Sequence, residues 1–131
     1  MSNDIELFLK SKAYGVVGAS SNREKYGNKV LRCYMQHNLT VYPVNPHTDK
    51  IQNLSTVQSI EDLPAEVESI SIITPPNVTD KIVEQALKKG INNIWMQPGA
   101  ESRYAIERCE LAGINLIAGG PCLLVILGFN D

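Results

Sequence analysis

The sequence lacks the features that mark several large classes of protein. Its 12 lysines and arginines are balanced by 14 aspartates and glutamates, for a formal net charge of −2. Nucleic-acid binding requires positive charge to neutralise phosphates, so this balance argues against a nucleic-acid partner. The longest apolar run, Cys122 to Phe129, is far shorter than the roughly 20 residues that span a bilayer. We therefore expect neither nucleic acid nor membrane as a partner.

Cysteine is scarce as well. Cys33, Cys109 and Cys122 are odd in number and widely spaced, which fits neither a disulfide framework nor the ligand spacing of a metal site. The first 12 residues lack the basic region and apolar stretch of a secretory signal. We expect no bound metal, a reducing compartment and a cytoplasmic location.

No pattern of catalytic residues is evident. His37 falls within a predicted helix, no Ser/His/Asp order predicts a triad, and the Gly-Lys-Ser/Thr ending of a P-loop is missing. We therefore predict no catalytic residue and expect a binding protein rather than a complete enzyme.

What the sequence does contain is an alternation of strand-like and helix-like segments. The 131 residues suit one domain, covering 1–131, and 44% of them are hydrophobic. Short apolar runs bounded by Gly, Pro or Asn predict strands over Tyr14 to Val17, Thr40 to Val44, Ser69 to Ile73, Asn93 to Met96 and Asn115 to Ala118. Near-continuous apolar strands are typical of a parallel sheet covered on both faces.

Helical spacing predicts the segments between these strands. The predicted helices are Asn3 to Lys10, Lys25 to Asn38, Asn77 to Lys89 and Glu101 to Ala112. Asn77 is the predicted cap of the third, and Gly90 and Gly113 are the predicted stops of the third and fourth. Val78 and Ala112 are among the side chains expected to face the sheet, whereas Lys50 to Glu68 shows little periodicity.

This alternation predicts an α/β fold: a Rossmann-like, doubly wound, parallel five-stranded sheet in a three-layer αβα arrangement. The expected strand order is 3-2-1-4-5. Ligands of such sheets bind at the carboxyl ends of the strands, where the strand order reverses. The residues that follow each strand are therefore the candidate site.

Small residues follow the first predicted strand, and a helix begins soon after. They allow backbone amides to approach a diphosphate near a helix N-terminus, although a tight turn of small residues would look similar. After the second strand, an NAD-binding domain would place Asp or Glu against the ribose, and this chain has none there. The stretch beginning at Val44 instead suits a ribose that carries a phosphate, as in coenzyme A or NADP, with His47 as a candidate contact or an exposed histidine without a role.

The later strand ends supply the remaining candidates. A stiff Pro75-Pro76 turn is either an apolar wall for the ligand or a rigid connection, Gln97 is a possible hydrogen-bond partner, and Cys122 is either a thiol near the ligand or a packed side chain. The predicted ligand-binding residues are Gly18, Ala19, Ser20, Ser21, Lys25, Tyr26, Gly27, Val44, Asn45, Pro46, His47, Ile73, Thr74, Pro75, Pro76, Gln97, Pro98, Gly99 and Cys122.

Several motifs follow one another in order along the chain: Val16-Val17-Gly18-Ala19-Ser20, Lys25-Tyr26-Gly27, Val41-Tyr42-Pro43-Val44-Asn45-Pro46, Pro64, Ile72-Ile73-Thr74-Pro75-Pro76 and Trp95-Met96-Gln97-Pro98-Gly99-Ala100. Together they resemble the CoA-binding domain family, which includes the N-terminal domain of the succinyl-coenzyme A synthetase alpha subunit and ADP-forming acyl-coenzyme A synthetases. The resemblance covers roughly residues 10 to 122, and the last motif is similar to the small stand-alone members.

The resemblance implies a coenzyme A site built from the turns after the first three predicted strands. The larger synthetases supply a lysine near the phosphates after the second strand, where this chain has His47 and Lys50 as alternatives. Small members often carry an acidic-basic-Cys segment after the fifth strand, whereas this chain has Gly119-Gly120-Pro121-Cys122.

The leading hypothesis is a cytoplasmic module that binds coenzyme A or an acyl-coenzyme A, as a sensor or with a protein partner, which includes a homodimer. The synthetases also use a phosphohistidine and further domains that 131 residues cannot hold. One alternative is an NAD(P)(H)-binding sensor or small oxidoreductase. The other is an interaction domain with a decayed nucleotide site, for which the apolar tail Leu123 to Phe129 is the expected interface.

Overall fold

The computed structural model describes residues 2–131, with side chains from residue 4 onward. The strands are β1 (Tyr14–Val17), β2 (Val41–Val44), β3 (Lys50–Ile51), β4 (Leu54–Ser55), β5 (Ser69–Ile72), β6 (Asn93–Met96) and β7 (Asn115–Ile117). The α-helices are α1 (Ser2–Phe8), α2 (Tyr26–Gln36), α3 (Pro76–Lys89), α4 (Arg103–Ala112) and α5 (Leu123–Leu127), with a 3-10 turn at Ile60–Asp62.

A five-stranded parallel sheet organises these elements. Its strand order is β2-β1-β5-β6-β7, and all four neighbouring pairs are parallel. Helices α1, α2 and α5 contribute side chains to the core on one face, and α3, α4 and the 3-10 turn contribute to the core on the other. The predicted Rossmann-like, doubly wound, three-layer α/β fold is confirmed.

The predicted strand order 3-2-1-4-5 is wrong. That order places the second strand in the sheet interior, whereas β2 is an edge strand beside β1, and the third main strand, β5, pairs with the other side of β1. The physical reason lies in Pro43, because proline has no N–H to donate and is confined to edge strands. The Pro43 carbonyl instead accepts from Val57 N on the outer side of β2.

The segment between β2 and β5 covers this edge. Val57 forms an isolated parallel bridge with Val44, and Asn45 N donates to Val57 O at 2.9 Å. Just before it, β3 and β4 form a short antiparallel hairpin whose turn places Gln52 and Asn53 at positive φ. The poorly periodic stretch 50–68 is thus ordered by pairing with the rest of the chain, which shields an otherwise open sheet edge.

Two hydrophobic clusters fix the sheet between its helices. On the α2 face, the Tyr14 and Tyr34 rings stack at 4.8 Å between centroids, and Phe8 packs edge-on against Trp95 at 5.3 Å. The buried Tyr34 hydroxyl lies 2.6 Å from Ser71 Oγ, and the Trp95 indole N–H donates to Pro121 O. The polar atoms of these large core side chains are therefore paired, as burial requires.

All four predicted helices are present, and their ends differ from prediction by at most two residues. Helix α3 begins at Pro76 with Pro75 as its cap, not at Asn77, because proline suits the first helical position, where no N–H is needed. Val78 and Ala112, expected to face the sheet, are exposed. Gly90 and Gly113 end their helices, as predicted, and both adopt the left-handed conformation.

The apolar tail forms helix α5. Leu123 is fully buried against the α2 face, whereas Val125 is 78% exposed and Ile126 is 45% exposed. Among the described residues, no helix combines the length and apolar character needed to cross a membrane.

Candidate functional site

A cleft of about 760 Å³ opens at the carboxyl ends of β1, β2 and β5. In this strand order, the chain leaves β1 toward β2 on one side and returns to pair β5 on the other, so the cleft lies at the topological switch point of the sheet. Its lining residues are Val17, Gly18, Ala19, Ser20, Lys25, Tyr26, Gly27, Val44, Asn45, Pro46, His47, Gln58, Ser59, Ile60, Ile73, Thr74, Val78, Ile82 and Gln85.

Two glycines allow the loop after β1 to pack closely against the end of β5 and the first turn of α2. Gly18 has φ of +96°, and a Cβ there would lie 2.1 Å from the Ile73 carbonyl oxygen. A Cβ at Gly27 would lie 2.0 Å from the Gly18 carbonyl oxygen. The β1 loop, the first turn of α2 and the end of β5 therefore approach one another at distances that only glycine permits.

Asn45 connects the β1 and β2 loops. Its Nδ2 donates to the Ala19 carbonyl at 2.9 Å, while its Oδ1 accepts from His47 N at 2.7 Å and Thr48 N at 3.1 Å. One side chain thus fixes the turn after β2 and ties it to the small-residue loop after β1.

A lysine and a histidine line the cleft. Lys25 precedes α2, His47 projects from the turn after β2, and no aspartate or glutamate is among the described lining residues. The N-terminus of α2 adds the positive end of its helix dipole. Val78 and Ile82, on α3, provide an apolar surface on one side. This combination suits an anionic ligand that also carries an apolar portion.

Most of the predicted ligand-binding residues line this cleft together, and seven do not. Ser21 is exposed in the loop after β1, and Pro75 and Pro76 are exposed at the start of α3. Pro98 and Gly99 are exposed in the turn after β6, where Gly99 N donates to Glu101 Oε1 at 2.6 Å. The remaining two, Gln97 and Cys122, interact with each other.

Gln97 has structural partners. Its side chain is 3% exposed, its Oε1 accepts from Leu123 N at 2.8 Å, and its Nε2 donates to Cys122 Sγ at 3.4 Å. The Gln97 amide therefore holds the start of α5 against β6. Cys122 is partly exposed and outside the cleft lining. Burial raises the pKa of both other thiols, Cys33 and Cys109, to about 11, which keeps them protonated at neutral pH.

Sequence reasoning missed part of the lining. Gln58, Ser59 and Ile60 come from the aperiodic stretch and reach the cleft only through the pairing of Val57 with β2. No local sequence pattern predicts the pairing of Val57 with β2. Val78 was predicted to face the sheet and instead lines the cleft, a placement that the 3.6-residue period could not distinguish. Among the described residues, no group of three or more His, Cys, Asp or Glu could hold a metal ion.

Comparison with known proteins gives a consistent result. The family model described as CoA binding domain matches residues 12–128. An ADP-forming acetate–CoA ligase II of Archaeoglobus fulgidus is 32% identical over 130 residues, which cover 90% of this chain and 19% of the ligase. A second such ligase, from Methanocaldococcus jannaschii, is 29% identical over 67% of this chain and 12% of its own length. The chain thus spans a fifth or less of these two ligases.

Solved structures of small proteins match over most of both chains. A hypothetical protein from Pyrococcus horikoshii OT3 has a TM-score of 0.87 and 30% identity, covering 95% of this chain and 87% of its own. A conserved hypothetical protein from Pyrococcus furiosus has a TM-score of 0.83 and 36% identity, covering 88% and 98%.

Proposed function

The chain belongs to the CoA-binding domain family, and from that premise we propose that it binds coenzyme A, free or acylated, in the cleft at the carboxyl edge of the sheet. The observation that carries the proposal is the cleft itself: about 760 Å³ at the switch point, lined by glycine loops and by basic but not acidic side chains among the described residues. Its volume lies in the range of small-molecule and cofactor sites.

Three chemical parts of coenzyme A have a matching surface in the cleft. The diphosphate would lie against Gly18, Ala19 and Ser20 and the α2 N-terminus, with Lys25 as its cationic partner. The phosphate on the ribose would meet His47, beyond the end of β2. The pantetheine arm would run along Val78 and Ile82 of α3, where its methyl groups contact apolar carbon.

We further propose that the chain is a binding or sensor module without complete catalytic machinery. The ligases it resembles are five or more times longer, so the chemistry of acyl activation would belong to other parts of those proteins. A module of this kind transmits its ligand state to a partner, which includes a second copy of itself. Its three free cysteines support a reducing compartment, the cytoplasm, as its location.

Calorimetric titration tests the function directly. The purified, reduced protein is titrated with coenzyme A, acetyl-coenzyme A, 3′-dephospho-coenzyme A, NAD, NADH and NADPH under identical salt conditions. Coenzyme A or its acetyl ester should bind most tightly, and removal of the 3′-phosphate should weaken binding because it removes a charge opposite His47.

The ligand ranking separates the alternatives. Preference for a nicotinamide nucleotide would replace this proposal by a dinucleotide-binding function. Absence of binding to the whole series would indicate an interaction domain with a decayed site, and the exposed face of α5 would then be examined first.

A further inference from the structure

Two consecutive carbonyl groups in the β1 loop are held by asparagine side chains from different elements. Asn45 Nδ2, after β2, donates to the Ala19 carbonyl at 2.9 Å. Asn28 Nδ2, in the first turns of α2, donates to the Ser20 carbonyl at 2.8 Å. The peptide planes after Ala19 and after Ser20 are therefore each fixed from one side.

The orientation of Asn28 is set by a buried cation. Arg32, one helical turn later and 6% exposed, donates from Nε to Asn28 Oδ1 at 2.6 Å. A guanidinium can only donate, so the Asn28 oxygen must face Arg32 and its NH₂ must face the Ser20 carbonyl. Arg32 is itself held by the Arg23 carbonyl at 2.9 Å and by Asp131 at 3.2 Å.

Fixing these carbonyls also fixes two amide donors. In a trans peptide the C=O and the following N–H point in opposite directions, so the Ser20 and Ser21 N–H groups are directed away from the two asparagines. Neither N–H has an acceptor within the part of the chain that the structure describes. Ser20 lines the cleft and Ser21 is exposed beside it. Two oriented, unoccupied donors therefore stand at its edge.

We propose that Asn28 and Asn45 are positioning residues for the ligand diphosphate: they aim the Ser20 and Ser21 amides at it, and Arg32 locks Asn28 in the orientation this requires. The inference rests on the proposed function and adds to it. Donors that are already oriented lose little freedom when an anion binds, which raises affinity without any contact between Asn28 or Arg32 and the ligand.

A purely structural role for Asn28 predicts a different result. In that case its replacement would lower the free energy of unfolding but leave the intrinsic affinity of the folded protein unchanged. Asn28→Asp separates the two roles, because the isosteric carboxylate keeps the acceptor for Arg32 while removing the Nδ2 donor, which serves the Ser20 carbonyl at 2.8 Å and Gln52 Oε1 at 3.1 Å.

The matched control is Asn22→Asp. Asn22 is exposed in the same loop, and its Oδ1 accepts from Glu24 N, a bond that aspartate preserves. This variant adds the same negative charge near the diphosphate without removing a carbonyl anchor. Calorimetry with coenzyme A is run on the wild type and both variants, and two-dimensional NMR records the Ser20 and Ser21 amide shifts on ligand addition.

We expect Asn28→Asp to weaken coenzyme A binding about tenfold or more, Asn22→Asp to weaken it less than about threefold, and the ligand-induced shifts of both amides to shrink only in Asn28→Asp. Equal losses in the two variants, or unchanged binding in Asn28→Asp, would overturn the inference while leaving the proposed function intact. If the wild type itself binds no coenzyme A, the proposed function fails, and this inference fails with it.

A second variant covers the case in which Asn28→Asp does not fold. Asn45→Asp keeps both acceptor bonds to His47 N and Thr48 N and loses only the donor to the Ala19 carbonyl. Because Asn45 itself lines the cleft, its added charge also weakens binding, so the readout of positioning is the ligand-induced shift of the Ser20 amide, which should shrink in Asn45→Asp and not in Asn22→Asp. An unchanged Ser20 amide shift in Asn45→Asp would contradict the positioning role.

Discussion

At the scale of single residues, the shape of the cleft depends on two glycines, because any side chain at their positions would clash with the backbone. Replacing Gly18, which has a positive φ, would place a Cβ 2.1 Å from a backbone oxygen, and replacing Gly27 would place a Cβ 2.0 Å from another backbone oxygen. Backbone cannot yield as a flexible side chain can, so such variants disturb the fold along with the site. Tests of ligand binding are therefore better made at side chains that line the cleft without supporting it.

Lys25→Glu is such a test. Lys25 lies at the N-terminus of α2, its side chain caps nothing, and it is exposed. Reversing its charge should reduce coenzyme A affinity about tenfold or more, because an attraction to the diphosphate becomes a repulsion. Affinity is measured by calorimetry at low and at physiological salt, and the loss should be smaller at high salt.

Lys12→Glu is the control for net charge. Lys12 is also exposed but precedes β1, at the amino end of the sheet, far from the carboxyl edge where the cleft opens. Its effect on affinity should stay within about twofold, because salt screens charges beyond roughly 10 Å. Comparable losses at Lys12 and Lys25 would indicate a general charge effect and not a contact with the ligand.

The glycine loop could be predicted from sequence, but the side chains behind it could not. A run of small residues between a strand and a helix predicts a phosphate-binding loop from local sequence alone, and the segment from Gly18 to Gly27 fits that pattern. Asn28 and Arg32 look like ordinary helical polar residues, and their role depends on contacts with Ser20, Arg23 and Asp131, as far as 99 positions away. Such partners follow only from the folded arrangement.

At the scale of elements, helix α4 illustrates how one side chain can hold a terminus and a neighbour together. Ser102 caps α4 by accepting from Ala105 N at 3.0 Å, and its hydroxyl donates to Asp80 Oδ1 on α3. In the same contact between α3 and α4, Glu84 lies between the Tyr104 hydroxyl and the Arg108 guanidinium. These two groups together hold the pKa of the Glu84 carboxyl below the usual range.

Ser102→Ala should lower the free energy of unfolding by about 1 kcal/mol, the usual cost of losing an N-cap. Urea denaturation of the variant and the wild type measures the difference. Ser55→Ala, at an exposed position in β4, is the control and should change stability by less than about 0.5 kcal/mol. If the two variants were equally stable, the cap would contribute nothing measurable.

The elements themselves were predicted closely, since their patterns are local. β1 and β6 have the predicted bounds, and the other sheet strands differ by one residue at one end. The order of the strands is not local, because both candidate orders satisfy the same right-handed crossovers. Pro43 distinguishes the two orders, because a proline within a strand indicates an edge strand. It therefore excludes the order 3-2-1-4-5, which places the second strand in the sheet interior.

At the scale of the whole molecule, the cleft forms where segments from distant parts of the chain come together in the fold. Its walls come from the β1, β2 and β5 loops, the start of α2, one side of α3 and the 58–60 segment. Each piece is unremarkable alone, and together they form a basic, glycine-lined cleft at the switch point. The walls formed by the loops after β1, β2 and β5 could be predicted from sequence, whereas those formed by Gln58 to Ile60 and by α3 depend on the three-dimensional arrangement.

The most direct test of this account is backbone amide NMR of the wild-type protein during titration with coenzyme A. The largest shifts should fall on the Gly18 to Ser21 loop, on Asn45 and His47, and on Ile73 and Thr74. Amides at the far end of α4 and in β7 should change little. Shifts concentrated on α5 or β7, or no shifts at saturating coenzyme A, would contradict the claim that this cleft binds coenzyme A.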